Sequence, residues 1–260
     1  MIPLKDNIPL RRFPLVTAAL VAINVVVYLL SIRHGGSLIN GPSTETVVNH
    51  AAIPFDFTHP GDYCTVHTGV EELGNTVTQS ECKHGPYPGQ IATWATAFAS
   101  MFLHGSILHN GGNMLFLWIF GPNVEDAMGR ARYAIFYLLG GLVALAAQIV
   151  VQPNSTAPTL GASGAIAAVL GGYLVLYPRA RVLSLIFIIF FVTIVEVPAV
   201  VLLGFWFLTQ LYFGAAGLTS VGSSEGVAYF AHVGGFVFGL ALIRLFAVHR
   251  KSEPPRYPVY

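Results

Sequence analysis

Charge is what this 260-residue chain has least of: Asp, Glu, Lys and Arg make up 10% of it, against 54% hydrophobic residues. A soluble domain carries roughly 25% charged residues, so the deficit excludes an ordinary water-soluble fold and puts the chain among membrane proteins. The formal net charge is +1, without the basic excess of a nucleic-acid-binding surface, so no nucleic-acid partner is expected. Two cysteines exclude a disulfide framework and leave room for one bridge. No small-residue cleavage site follows the first apolar run, which therefore reads as a retained anchor and not as a removed signal peptide. The chain also lacks an inverted pair of broken helices and an intramembrane charge ladder, which counts against a transporter or channel.

Apolar runs are what it has in abundance. A membrane span needs about 20 predominantly apolar residues, and the candidates are 13–30, 103–121, 133–151, 162–177, a long stretch over 182–213, and 227–248. Glu196 and Pro198 interrupt the long stretch, so it reads either as one span with an apolar lead-in or as two short ones. Basic residues decide. Lys5, Arg11 and Arg12 precede the first span and place the N-terminus in the cytoplasm. With six spans, Arg130 and Arg132, Arg179 and Arg181, and the cluster Arg244, Arg250, Lys251 and Arg256 all fall inside; only Arg33 and Lys83 stay outside. A seventh crossing would put the last cluster on the wrong side. Residues 182–197 are therefore expected to be buried or interfacial, with the fifth span over 198–213.

The expected fold is an all-α, six-transmembrane-helix bundle in the cell membrane, with lipid on its flanks. Residues 1–12 form a cytoplasmic N-terminus, 13–250 the membrane domain and 251–260 a cytoplasmic tail. The first loop, 31–102, is expected on the extracytoplasmic side. It is polar and acidic, with Glu45, Asp56, Asp62, Glu71, Glu72 and Glu81. A structureless loop of that length is unusual in a compact domain, so it should fold over the bundle or carry a small subdomain.

Polar groups within spans are costly and mark functional sites by default. Ser163 lies in Gly161-Ala162-Ser163-Gly164 and opens the fourth span after a polar loop. A serine there sits among unsatisfied backbone N–H groups at the positive end of the helix dipole, although Ser at a helix start is also ordinary capping. His232 lies in Ala231-His232-Val233-Gly234-Gly235, early in the sixth span. Gly235 and Gly239 on that span, and Gly164, Ala168 and Gly172 on the fourth, form small-residue stripes that permit close helix approach. Such packing brings Ser163 and His232 within hydrogen-bonding reach, the nucleophile–base pair that acyl transfer requires. No carboxylate is placed to complete a triad: Glu225 precedes His232 by about 10 Å along a helix, and Glu125 and Asp126 lie at the opposite end. His109 and Asn113, spaced i, i+4, share one helix face and could supply donors to an oxyanion beside the Ser163 N–H. Either alone reads equally as an interhelical hydrogen bonder. His104 reads as structural, holding the first loop.

Taken in order, His109-x-x-x-Asn113, Gly121-x-x-x-Glu125-Asp126-x-x-Gly129, Gly161-Ala162-Ser163-Gly164 and Ala231-His232-Val233-Gly234-Gly235-x-x-x-Gly239 resemble the rhomboid family of intramembrane serine proteases. The resemblance runs from Phe102 to about Leu242. It implies a six-helix bundle with a catalytic serine below the membrane surface, cleavage of single-span or polytopic membrane proteins in or near their spans, and no cofactor or metal. By position, Ser163 is the nucleophile, His232 the general base, and His109, Asn113 and the Ser163 backbone the oxyanion hole. Phe205, Trp206 and the segment 214–226 match the region that gates substrate entry. Many members carry an aromatic residue where this chain has Ala167, so His232 must be held by other packing, with Phe236 or the second span as candidates. The first loop also lacks the Trp-Arg pair of many members and is longer.

In that loop, Cys64 and His67 with Cys82 and His84 have spacings compatible with a four-ligand zinc site; a Cys64–Cys82 disulfide, favoured by an oxidising exterior, is the other reading. The remaining functional alternative is a catalytically inactive rhomboid-like protein that binds membrane clients. Such relatives typically lack the serine or the histidine, and both are present here.

Overall fold

The computed structural model describes residues 2–70, 76–85, 89–188, 191–219 and 227–248. It is mostly helical. In chain order the elements are β1 (Ile2–Asp6), α1 (Leu15–Ser31), α2 (Thr44–His50), α3 (Pro54–Thr58), β2 (Asp62–Val70), β3 (Thr76–His84), α4 (Thr93–Ala99), α5 (Ile107–Met128), α6 (Arg130–Val151), α7 (Ser163–Leu176), β4 (Arg181–Ile188), β5 (Phe191–Pro198), α8 (Ala199–Thr219) and α9 (Tyr229–Phe246). Among the described residues, three helices are long and apolar enough to cross a membrane: Arg130–Val151, Ala199–Leu218 and Tyr229–Phe246. α1 and α7 are shorter apolar helices.

Two small sheets depart from the all-α expectation. β2 and β3 form an antiparallel hairpin within segment 31–102. β1, β4 and β5 form a three-stranded antiparallel sheet. The apolar stretch expected to lie buried or interfacial over 182–197 is thus a hairpin. Its density of Val, Ile, Phe and Thr suits strands better than a helix, and apolar residues on both faces hide the alternation that would announce it. Val182 and Ser184 are buried, and Arg181 pairs with Glu196 at 3.2 Å. α5 likewise runs past the expected end at Gly121, through the internal Pro122, and stops at Gly129, whose φ is 81°.

α7 sits at the centre. Every residue from Gly164 to Tyr173 is buried, as expected of a helix that is apolar all round. Its closest neighbour is α9. A Cβ on Gly235 would strike the carbonyl oxygen of Gly164, and one on Gly239 the carbonyl oxygen of Ala168. These two glycines therefore let the backbones of α7 and α9 touch, along the stripes read from sequence.

At the other end of the bundle Glu125, buried on α5, reaches the first turn of α1. Its carboxylate accepts from the backbone N–H groups of Val16 (3.0 Å) and Thr17 (2.8 Å) and from the Thr17 hydroxyl (2.8 Å). A helix N-terminus has free donors and a positive dipole end, and a carboxylate satisfies both. Asp6 of β1 accepts from Tyr173 (2.6 Å) and from the Asn123 amide (2.7 Å), tying the N-terminal strand to α7 and α5. Glu125→Ala is expected to destabilise the fold by about 3 kcal/mol, because buried donors lose a charged acceptor. Glu125→Gln, which keeps one oxygen, should lose less. Equilibrium unfolding in detergent micelles measures the ranking.

Candidate active site

Ser163 is the first residue of α7, and His232 lies in the first turn of α9. The Ser163 hydroxyl is 2.7 Å from His232 Nε2. The opposite ring nitrogen, Nδ1, is 2.8 Å from Gln210 Oε1 on α8. The indole of Trp206 lies over the imidazole at a centroid distance of 5.8 Å, and Tyr229 meets it edge-on at 6.5 Å. His232 is therefore held by α8 and by its own helix. Phe236, one of the expected supports, instead stacks on Phe207 at 4.5 Å and touches Trp206. A buried amide oxygen from Gln148 on α6 accepts from the Ala231 N–H at 3.3 Å, which fixes the start of α9.

His109 and Asn113 face the loop that precedes the serine. Ser106 caps α5 by accepting from the His109 N–H at 3.1 Å, an N-cap bond that orients the first turn. Gly161 has φ +116°; a Cβ there would stand 2.8 Å from His109 Nε2 and 3.5 Å from Asn113 Nδ2. The Asn113 amide nitrogen is buried without a hydrogen-bond partner. A buried donor left open beside a serine and a histidine is poised for an acceptor that arrives with a ligand. His109, Ser163 and His232 share one cavity of about 290 Å³, walled by small apolar residues including Gly141, Ala144 and Ala231.

His104 bridges the end of the first loop and the backbone before Ser163. It is fully buried, and its Nε2 accepts from the Ala162 N–H at 3.4 Å while Nδ1 contacts the Phe102 carbonyl at 3.2 Å. Its ring meets His109 edge-on at 5.1 Å. With the Gly161 N–H donating to Ser100 at 2.8 Å, it pins the backbone that presents Ser163.

Of the carboxylates weighed for a triad, Glu125 caps α1, the Asp126 carboxylate accepts from the Arg11 N–H at 3.0 Å, and Glu225 lies outside the described residues. In the expected gating region Phe205 is exposed and Trp206 turns inward. Residues 214–219 continue α8 and are not a loop, while 220–226 lie outside the described residues. In the β2–β3 hairpin, Cys64 is paired in register with Cys82. The His84 imidazole bonds Asp62 at 2.7 Å, and the side chains of Cys64 and His67 are outside the described residues. Among the described residues no cluster of three or more His, Cys, Asp or Glu is placed to hold a metal.

With a serine and two histidines around one cavity in a helical membrane bundle, comparison with known proteins decides the family. The Rhomboid domain model matches residues 91–249. The chain belongs to the rhomboid family. It is 33% identical over 156 residues to Rhomboid protein 1, mitochondrial, of Saccharomyces cerevisiae, covering 58% of this chain and 41% of that one. It is 34% identical over 91 residues to the Presenilin-associated rhomboid-like protein, mitochondrial, of Homo sapiens (34% of this chain, 24% of that one). It is 32% identical over 142 residues to RHOMBOID-like protein 4 of Arabidopsis thaliana (54% and 31%). The chain spans less than half the length of each of these relatives.

Because Gly161 combines a positive φ with the His109 imidazole at its α-carbon, Gly161→Ala should disturb the site before it disturbs the fold. The expected outcome is a fall of about 10-fold or more in the rate of fluorophosphonate labelling, as for loss of an oxyanion donor, with helix content by circular dichroism unchanged.

Proposed function

We propose that this rhomboid is an intramembrane serine endopeptidase that cleaves single-span or polytopic membrane proteins in or near their spans. The observation that carries the reading is the 2.7 Å contact between Ser163 Oγ and His232 Nε2. The hydroxyl donates to Nε2, which takes the proton as Oγ attacks the scissile carbonyl. The developing oxyanion lies beside the Ser163 N–H, the unpaired Asn113 amide and the His109 imidazole, whose donated bonds strengthen as charge appears. The imidazolium then returns its proton to the leaving amine, and water repeats the sequence on the acyl-enzyme. No metal or cofactor enters these steps.

Membrane geometry supports the same reading. We read six crossings (α1, α5, α6, α7, α8 and α9), with both termini on the cytoplasmic side, from the placement of Lys and Arg. α7 has 14 residues, about 21 Å of helix against a hydrocarbon core of about 30 Å. Ser163 at its end therefore sits below the surface, and the cavity that it shares with His109 and His232 is the route for water. Segment 31–102 lies on the extracytoplasmic side in this arrangement. There the in-register Cys64 and Cys82 of β2 and β3, with Cys82 disulfide-bonded, support a cross-link over the zinc alternative. Intact-mass spectrometry should then show a gain of two hydrogens on reduction; an unchanged mass argues for free thiols.

In proteoliposomes containing a single-span substrate, the wild type should cleave and Ser163→Ala should not. Equal cleavage by both removes Ser163 from the mechanism, and no cleavage by either favours a client-binding role. Asn113→Ala should lower kcat by about 10²-fold, the usual cost of one oxyanion donor, measured by initial rates in the same vesicles.

A further inference from the structure

The imidazole of His232 has two ring nitrogens with different duties. If Ser163 is to lose its proton to Nε2, that atom must carry a lone pair, and the single N–H of the neutral ring must sit on Nδ1. A proton on Nδ1 inside an apolar bundle needs an acceptor, since a buried N–H without one costs about 1–3 kcal/mol. In most serine hydrolases that acceptor is a carboxylate. Here the atom at Nδ1 is Gln210 Oε1, 2.8 Å away.

A glutamine amide can present either its oxygen or its nitrogen, and the surroundings of Gln210 choose. Its Nε2 donates to the Trp206 carbonyl at 3.3 Å and to the Thr209 hydroxyl at 3.1 Å. The Thr209 hydroxyl spends its own proton on the Trp206 carbonyl at 2.6 Å and so meets Gln210 as an acceptor. Flipping the amide would lose both bonds and set its oxygen against two acceptors. Gln210 is 8% exposed, so bulk water is a poor substitute for either partner. The oxygen therefore faces Nδ1.

We propose that Gln210 is a positioning residue for His232: it accepts the Nδ1–H, holds the ring in the tautomer whose Nε2 can take the Ser163 proton, and makes the docking of α8 part of assembling the site. The inference rests on the protease reading above. As a neutral dipole Gln210 orients the base without forming an ion pair with the imidazolium. The other groups packed on the ring do not supply this contact. Trp206 offers an indole, which is a donor only, and the titratable groups facing His232 are His109 from α5 and Tyr229 on its own helix. Nucleophile and base stand on α7 and α9, while Gln210 stands on α8, whose outer face exposes Phe205, Leu208 and Tyr212. Its inner face meets α9 at two rungs one turn apart, Gln210 on His232 and Phe207 on Phe236. Drawing α8 away from α9 removes the acceptor and the aromatic cover together.

Three variants and one spectrum test this. Gln210→Leu keeps the volume and removes the acceptor. It should lower kcat by about 30-fold, less than the roughly 10⁴-fold seen when the tautomer-setting partner is a carboxylate, because a neutral amide gives the imidazolium no ion pair to lose, with KM within about 2-fold. Gln210→Glu retains an oxygen in either protonation state and should recover to within about 5-fold of wild type. In a His232→Ala background the Leu substitution should change the residual rate by less than about 2-fold, because a residue acting through the histidine has nothing left to act through. The 15N spectrum of wild-type protein labelled at histidine should show His232 as the Nδ1–H tautomer. An unchanged kcat in Gln210→Leu, a loss confined to KM, a loss that Glu does not recover, or an Nε2–H tautomer in wild type overturns the proposal. Absence of any cleavage by wild type would instead overturn the protease reading, and the spectrum still decides the tautomer. Should Gln210→Leu fail to fold, the spectrum and the Glu variant carry the test.

Discussion

The crossing of α7 and α9 leaves no room for a methyl group at two successive turns. Gly235 rests on the Gly164 carbonyl and Gly239 on the Ala168 carbonyl, and any side chain at either position would drive the helices apart. Ser163 and His232 lie in the first turns of these two helices, so the backbone contact sets their separation. In a bilayer, where burying apolar surface gives no advantage over lipid, such dense contact is what holds helices together. The 2.7 Å contact between serine and histidine is a consequence of where glycine occurs.

Around that crossing the other helices each contribute one correction of position. α6 lends Gln148 to the first turn of α9. α5 brings His109 and Asn113 against Gly161 and is itself started by the Ser106 cap. The segment before α5 adds His104, which grips the Ala162 N–H. α8 completes the ring with Gln210 and Trp206 on His232. Far from this site, Glu125 fastens α1 to α5, and Asp6 fastens the N-terminal strand to α7. Both carboxylates are structural fasteners.

The parts of the site that a reader of the sequence can find are those written as local spacing. The i, i+4 pair His109 and Asn113 and the glycine stripes on α7 and α9 need only helical periodicity. Gln210 is different: it precedes His232 by 22 residues on another helix, and a glutamine in an apolar helix gives the same signal as any interhelical hydrogen bonder. The structural role of His104 extends to Ala162 through a backbone N–H, a partner that no side-chain pattern displays. The β4–β5 hairpin is illegible in the sequence because both its faces are apolar, so period two leaves no trace. The sequence offers a Cys64–Cys82 bridge as one of two readings, and the register of β2 and β3, which puts the two residues opposite each other, is not written in any local spacing.

An activated serine differs chemically from every other serine in the chain only while the fold holds His232 against it. Reaction of the bilayer-embedded protein with a fluorophosphonate, followed by digestion and mass mapping of the adduct, tests this most directly. The expected result is one adduct, on the peptide that contains Ser163, and none after heat unfolding. An adduct on a different serine, or equal labelling of the unfolded chain, would contradict an active site built on Ser163 and His232.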